Sequence, residues 1–229
     1  MKLLLLGHGR MGQIVESLAP SYGFEMAGWL DETNNAGGEA LTADRWSGVD
    51  VAIDFSTAVA LVDNLPRLAR LGINTVVGTT GWQAHETAMR QVVADAGLGV
   101  VVAPNFSTGV VLLEALVEYA GRLFGGQEEC GAWVHELHHA KKVDAPSGTA
   151  LMLQAALTRG GYARPIDMSS TRAGFIPGTH TIGFDAPSET VTLTHVARDR
   201  ATFARGALQA ARWLQGRRGW FTMRDVLGI

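Results

Sequence analysis

Apolar residues fall along the first hundred positions in short blocks, each followed by glycine or small polar residues and then by a helical stretch. Leu3–Leu6, Phe24–Leu30, Val51–Phe55, Asn74–Val77 and Val100–Ala103 are such blocks. Short, nearly continuous apolar runs suit strands buried on both faces of a parallel sheet. Between them Gln13–Leu18, Ala58–Leu71 and His85–Ala96 read as helices. In the second, Leu61, Leu65 and Leu68 make a core stripe, Ser56 or Thr57 caps the start, and Pro66 is expected to kink or break it. Repeated βα units imply right-handed crossovers, with ligands at the carboxyl ends of the strands.

From Thr108 the pattern changes. Gly109–Leu123 reads as a long apolar helix and Cys130–His139 as a strand. Further strands are expected at Met168–Thr171, Thr179–Phe184 and Glu189–Val196, around a helix at Ala150–Thr158. The alternation of Thr190, Thr192 and Thr194 describes a sheet with one face open or packed on a partner. A last helix, Phe203–Leu214, and the tail Gly219–Leu227 return to the first domain. The fold class is therefore α/β, an N-terminal Rossmann-type parallel sheet with a second α+β domain, the one to which the site residues and resemblance below assign substrate binding and oligomerisation. The domains are placed at 1–107, completed by 203–229, and at 108–202.

Composition narrows the function classes. A formal charge of −3 with 47% apolar residues is ordinary for a globular protein and argues against nucleic acid or an anionic membrane as partner. No apolar run approaches the ~20 residues of a spanning helix. Leu3–Leu6 is too short for the core of a signal peptide. One cysteine, Cys130, allows no internal disulfide and fits a cytoplasmic location.

The first strand runs straight into Gly7-His8-Gly9-Arg10-Met11-Gly12 and a helix, the context that gives a G-x-G-x-x-G motif its meaning. Gly7 makes the tight turn, Gly9 lets a pyrophosphate approach, and Gly12 packs helix on strand. His8 is expected to be a solvent-facing turn residue. The second strand ends in Asp31, at the distance expected for the acid that holds the adenosine ribose. These features point to a dinucleotide.

The densest chemistry lies in Glu136-Leu137-His138-His139-Ala140-Lys141-Lys142-Val143-Asp144-Ala145-Pro146-Ser147-Gly148-Thr149-Ala150. It reads as the end of a strand, a polar turn and a helix start. Alternation puts Glu136 and His138 on one face. Ser147 and Thr149 are natural N-caps, and the amides of Ser147, Gly148 and Thr149 are expected to point outward at an anion. Lys142 and the histidines stand beside that site with protons to give, so the pocket suits a small carboxylate that must be protonated. A metal site at Glu136, His138 and His139 is disfavoured: adjacent histidines face opposite ways, no cysteine helps, and two lysines repel a cation.

The run Glu-x-His-His-x-x-Lys-x-Asp-Ala-Pro-Ser-Gly-Thr-Ala resembles the signature of the dihydrodipicolinate reductase family, with every position filled. The resemblance extends over nearly the whole chain. Asp54-Phe55-Ser56, Gly78-Thr79-Thr80-Gly81 and Pro104-Asn105-Phe106-Ser107 are similar to the family's cofactor-side loops, the latter two lining the nicotinamide half. Arg172 and Gly174–His180, and the stretch His195–Ala204, are family-like as well. The resemblance implies an NAD(P)H-dependent reduction of 4-hydroxytetrahydrodipicolinate in lysine and diaminopimelate synthesis, with hydride delivered to the ring as water leaves. It implies His138 as acid/base, Lys142 as the other proton donor, His139, Ser147, Gly148 and Thr149 as substrate ligands, and a homotetramer. Which of His138 and Lys142 delivers the proton stays open.

The chain departs from the family's commonest form in a glycine loop one residue shorter and in a short 150–180 connection. Ala140 and Lys141 stand where many members carry Arg and His. Two other readings remain: a two-domain dehydrogenase of the aspartate or homoserine type, and a non-enzymatic dinucleotide-sensing module. NADH is expected to be preferred to NADPH, because Asp31 is followed by Glu32 where an NADPH site would place a cation.

Overall fold

The computed structural model describes residues 1–229, which divide into two compact units, Met1–Thr108 with Arg200–Ile229, and Gly109–Asp199.

The first unit holds an all-parallel sheet in the order β10-β5-β4-β3-β1-β2. Its strands are β1 Lys2–Leu6, β2 Glu25–Leu30, β3 Val51–Asp54, β4 Asn74–Val77, β5 Gly99–Val102 and β10 Gly219–Phe221. β3 is buried at every position, as its unbroken apolar run requires. Helices α1 Arg10–Leu18, α2 Ala43–Trp46, α3 Ala58–Arg70, α4 Glu86–Ala96, α7 Ala201–Trp213 and α8 Met223–Leu227 complete the unit. The tail adds the edge strand beside β5, so the chain does return to this sheet.

Thr57 caps α3 by accepting from the Ala60 amide at 3.3 Å. Of the kink or break expected at Pro66, the break does not occur: α3 runs through it as one helix. Leu61 and Leu65 before or just at the proline's turn, and Leu68 after it, are all buried. That burial holds both halves against the sheet and outweighs one lost backbone bond.

In the second unit α5 (Thr108–Gly125) and α6 (Gly148–Arg159) share a core with the sheet β7-β6-β8-β9. The strands are β6 Gly131–His138, β7 Ile166–Arg172, β8 Thr179–Ala186 and β9 Glu189–Val196. β6 pairs parallel with β7 and antiparallel with β8, and β8 antiparallel with β9. Register sorts the inward face into rows. Ala132, Ile166, Phe184 and Val191 are followed by Val134, Met168, Ile182 and Leu193. The next row, Ser170, Glu136, His180 and His195, is polar, and His138 beside Arg172 lies beyond it. The apolar core thus ends where titratable side chains begin. The short 160–165 connection is pinned by Arg164, which donates to the carbonyls of Gly125, Phe124 and Cys130 at 2.9–3.0 Å. No helix is long and apolar enough to cross a membrane.

Candidate active site

The glycine loop is tight because its backbone closes on itself. Gly7 has φ +88° and donates its amide to Leu30 O at 2.7 Å. A Cβ on Gly12 would stand 2.2 Å from the Gly7 carbonyl, so α1 seats directly on the loop. Gly9 is the N-cap of α1 and contributes no side-chain cap, which leaves the first-turn amides for an anion. Arg10 is exposed and Met11 half-buried at the helix start.

Beside the loop lies a cavity of about 340 Å³ lined by Gly7, His8, Gly9, Asp31, Glu32 and, further in, Asn35, Phe55, Ser56 and Asn64. Thr33 donates its amide (2.9 Å) and hydroxyl (2.6 Å) to Asp31 Oδ1. These bonds hold the Asp31 carboxyl below its ordinary range, ionised and able to accept from a ribose hydroxyl. An uncapped helix N-terminus, an ionised acid and a cavity between them fit the adenosine half of a dinucleotide.

His8 is not the solvent-facing turn residue expected from sequence. Its ring stacks on Trp29 at 4.4 Å and 6°, and its Nε2 lies 2.6 Å from Glu16 Oε2. Aromatic surface from β2 and a carboxylate from α1 draw it in.

The other strand tips are cross-braced by Asp54, which is fully buried. Its Oδ1 accepts from the Ser56 amide (2.9 Å), the Ser56 hydroxyl (2.6 Å) and the Thr79 hydroxyl (2.7 Å). Burial pushes the Asp54 carboxyl up, against the pull of those bonds. Gly78 lies against the Phe55 ring, and Thr80 is exposed. Asn105 Oδ1 takes the Ser107 amide at 2.8 Å, and Ser107 Oγ meets Thr202 Oγ1 at 3.1 Å. Phe106 and Ser107 are buried supports, while Pro104 and Asn105 stand at the open edge. Gly7, His8, Gly9 and Asp31 share the cavity; Arg10, Met11, Gly12, Gly78–Thr80 and Pro104–Ser107 lie outside its lining.

In the second unit Glu136 is the hub. It is wholly buried at the polar end of the inward face. Arg172 Nη2 donates to Oε1 at 2.5 Å, the Ser147 amide reaches the same oxygen at 3.3 Å, and His138 Nδ1 is in direct contact with Oε2. Burial pushes the Glu136 carboxyl up, but hydrogen bonds from Arg172 and Ser170 and the charges of His138 and Arg172 bring it down to about 2. His138 is lowered mainly by burial, with Glu136 opposing, and Lys142 and Arg172 adding to the fall. His180 packs edge-on to His138 at 5.1 Å, and its Nε2 meets Ser147 Oγ at 3.1 Å. Burial first, then His138, brings His180 down to about 4.

Ser147 alone is the N-cap of α6, accepting from the Ala150 amide at 3.2 Å, and Thr149 is already helical. Its amide does not point outward as expected, because Glu136 takes it. Gly148 is exposed, with nothing within 4 Å of where a Cβ would stand, so a ligand has room there. Lys142 Nζ lies 2.7 Å from Asp144 Oδ1. Lys142 and the Gly148 amide both help to hold the Asp144 carboxyl down. The turn brings the Lys142 amide to the carbonyl of the half-buried His139 at 3.1 Å. His138, Lys142, His139, Ser147, Gly148 and Thr149 are thus gathered along one strand end, turn and helix start. Sequence reasoning passed over Arg172, His180 and His195 as site residues. The available signal was the inward phase that His180 shares with Ile182 and Phe184.

Gly178 matters for access. A Cβ there would stand 3.0 Å from His138 Nε2. Gly178→Ala is therefore expected to crowd this nitrogen and lower kcat about tenfold, with melting temperature little changed, since well-placed catalytic groups are sensitive to sub-ångström shifts. Steady-state kinetics beside thermal unfolding check it, and an unchanged kcat would show that Nε2 does not face the reaction.

Residues 1–106 match the family model "Dihydrodipicolinate reductase, N-terminus", and residues 109–227 match "Dihydrodipicolinate reductase, C-terminus". The 4-hydroxy-tetrahydrodipicolinate reductase of Rhodopseudomonas palustris (strain TIE-1) is 35% identical, covering 100% of this chain and 98% of its own. That of Christiangramia forsetii is 32% identical, covering 99% and 98%. The first alignment runs over 268 positions against 229 residues here, so that relative carries segments this chain lacks. Among solved structures, dipicolinate-bound dihydrodipicolinate reductase from Paenisporosarcina sp. TG-14 shares the fold, with TM-score 0.84, 20% identity and 98% of each chain covered.

Proposed function

The chain belongs to the dihydrodipicolinate reductase family, and we propose that it runs that family's reaction with NADH in preference to NADPH and with protons from the His138–Lys142 segment. The activity is the reduction of 4-hydroxy-tetrahydrodipicolinate to tetrahydrodipicolinate in lysine and diaminopimelate synthesis. The carrying observation is the buried Glu136 with His138 in contact, next to a helix start and Lys142. When bound, the dinucleotide supplies the hydride. Gly7, Gly9 and the first turn of α1 cradle its phosphates, Asp31 holds its ribose, and the loops at Gly78–Thr80 and Pro104–Ser107 frame the nicotinamide end.

Reduction by hydride leaves the ring needing a proton, and His138 or Lys142 gives it. His139, Ser147, Gly148 and Thr149 receive a substrate carboxylate, the Gly148 and Thr149 end of α6 supplying donors to an anion. The substrate is a small-molecule dicarboxylate. Glu136, His138 and His180 bring ligand atoms within 4.8 Å of one another, a geometry that could also hold a metal. We read them as mutually placed acid–base side chains instead. Arg172 already occupies one Glu136 oxygen, His138 the other, and Ser147 takes His180 Nε2. The outward face of the second sheet carries Thr181 bonded to Thr194 at 3.1 Å, and a homotetramer would use this face. A lone buried thiol at Cys130 suits the cytoplasm.

The NADH preference rests on Asp31 and Glu32, which both line the cavity, while Arg10 does not. The 2′-phosphate of NADPH carries roughly −1.5 to −2 charges, and two carboxylates repel it by a few kcal/mol before screening. His8 offers no ready relief, because Glu16 already holds its Nε2. With substrate made fresh from pyruvate and aspartate semialdehyde, kcat/KM at low ionic strength is expected to be about tenfold or more higher with NADH. Glu32→Arg moves the ratio toward NADPH. Equal values for the two cofactors in the wild type would sink the preference, and no turnover with either would sink the reading.

A further inference from the structure

We propose that Glu136, braced by Arg172, is a positioning residue for the reduction: it holds the His138 ring so that Nδ1–H points at the carboxylate and Nε2 is the atom that gives the proton. This rests on the reading of His138 as a proton donor.

The geometry leaves the carboxylate one free use. Oε1 is taken by Arg172 Nη2 at 2.5 Å and the Ser147 amide at 3.3 Å. Ser170 also hydrogen-bonds the carboxylate, and the close contact of the buried Oε2 is His138 Nδ1, itself buried. A wholly buried carboxylate is costly unless it is paired on both oxygens, so Nδ1 must bring a proton to Oε2. A neutral imidazole then carries its lone pair on Nε2, and an imidazolium carries its transferable proton there. Nε2 lies beside Gly178, where the lack of a side chain leaves it open.

Arg172 is fixed in turn, donating to the Asp144 carbonyl at 2.6 Å as well as to Glu136. The brace therefore joins β6, β7 and the turn that carries Lys142. His180 closes the other side of the ring, edge-on at 5.1 Å. The charged or titratable groups around His138 are thus Glu136 on its own strand, Arg172 on β7, His180 on β8 with His195 paired to it on β9, and Lys142 in the turn. Only Glu136 among them favours the imidazolium. In the step itself the N–H bond at Nε2 breaks and its proton goes to the ring that has received hydride from the dinucleotide. The imidazole is left neutral, still donating Nδ1–H to Glu136, and solvent restores the proton.

The sign for pH follows. His138 acts when protonated, so kcat falls as pH rises through its pKa. Glu136 raises that pKa, and removing its charge moves the fall to lower pH.

The test pairs kinetics with ¹⁵N NMR of histidine-labelled enzyme, the His138 signals assigned through His138→Gln. In the wild type above the titration, His138 is expected as the Nδ1–H tautomer. Glu136→Gln is expected to lower kcat about 10²-fold with substrate KM little changed, and to shift the alkaline limb of kcat to lower pH. Glu136→Asp should restore part of that limb. An Nε2–H tautomer in the wild type overturns the proposal, and that measurement stands even where Glu136→Gln fails to fold. A folded Glu136→Gln enzyme with an unmoved limb overturns it too, leaving Glu136 a purely structural role. Near-normal kcat in His138→Gln would instead overturn the donor reading beneath it.

Discussion

Alanine at Lys142 is expected to lower kcat by about 10²–10⁴-fold, the range a positioned proton donor contributes, because Lys142 as the other donor serves the hydroxyl that leaves as water while His138 serves the reduced ring; NADH affinity stays as it was. The two halves of that result have separate causes. Lys142 sits four residues past His138 in the turn that leads to α6, with Nζ 2.7 Å from Asp144. The Gly7–Gly12 loop and Asp31 lie in the first unit, so the substitution leaves them intact. Stability is spared as well. The Lys142 and Asp144 side chains are 24% and 57% exposed, and ion pairs in that condition are worth about 0–1 kcal/mol. Lys142→Arg sharpens the reading, because a guanidinium keeps the charge for a substrate carboxylate but does not release a proton near neutral pH. Arginine should therefore hold substrate KM near the wild-type value and leave kcat low. Steady-state kinetics with an NADH fluorescence titration measures both, and a near-normal kcat in Lys142→Ala removes the lysine from the chemistry.

What the sequence disclosed of this site is what depends on neighbours along the chain. A period of two placed Glu136 and His138 on one face, and the Ser-Gly-Thr turn announced a helix start. The short apolar runs before Gly7, Asp31 and Asp54 disclosed a parallel sheet because such strands have no polar face to show. Arg172 and His180 were a different matter. Each becomes a partner of the motif only through pairing with β6, in a register set between segments some 35 to 45 positions apart. Nothing local in Thr171-Arg172 or Thr179-His180 specifies that alignment. The same limit explains His8, whose ring is drawn in by Trp29 from another strand. It also explains the Ser147 amide, which a helix-start argument turns outward and the buried carboxylate turns inward. At Pro66 packing on both sides carries the helix through without a break.

Gly206→Ala is expected to be the most damaging single methyl group in the first unit. Its Cβ would stand 1.7 Å from the Phe106 carbonyl oxygen, 2.9 Å from the carbonyl carbon and 3.4 Å from Phe106 Cβ. The two nearest obstacles are backbone, so no rotamer change relieves the overlap, and either α7 or the Pro104–Ser107 loop must move. α7 is tied down by the buried Ala204, Ala207, Leu208, Ala210 and Ala211. The loop is held by Phe106, 2% exposed and edge-on to Phe55 at 6.1 Å, and by the Ser107–Thr202 contact. Overpacking of this kind costs about 1–3 kcal/mol, and more where nothing yields. For a chain of this length that corresponds to a fall in melting temperature of roughly 5 °C or more. The loop is the softer side, so Asn105 should be displaced and NADH should bind more weakly even at temperatures where the protein is folded. Gly126→Ala is the matched control, since a Cβ there meets nothing within 4 Å. Thermal unfolding of both variants, with NADH titration below the transition, decides the matter. If Gly206→Ala melts with the control and binds NADH normally, the contact between α7 and the loop does not hold the cofactor side in place.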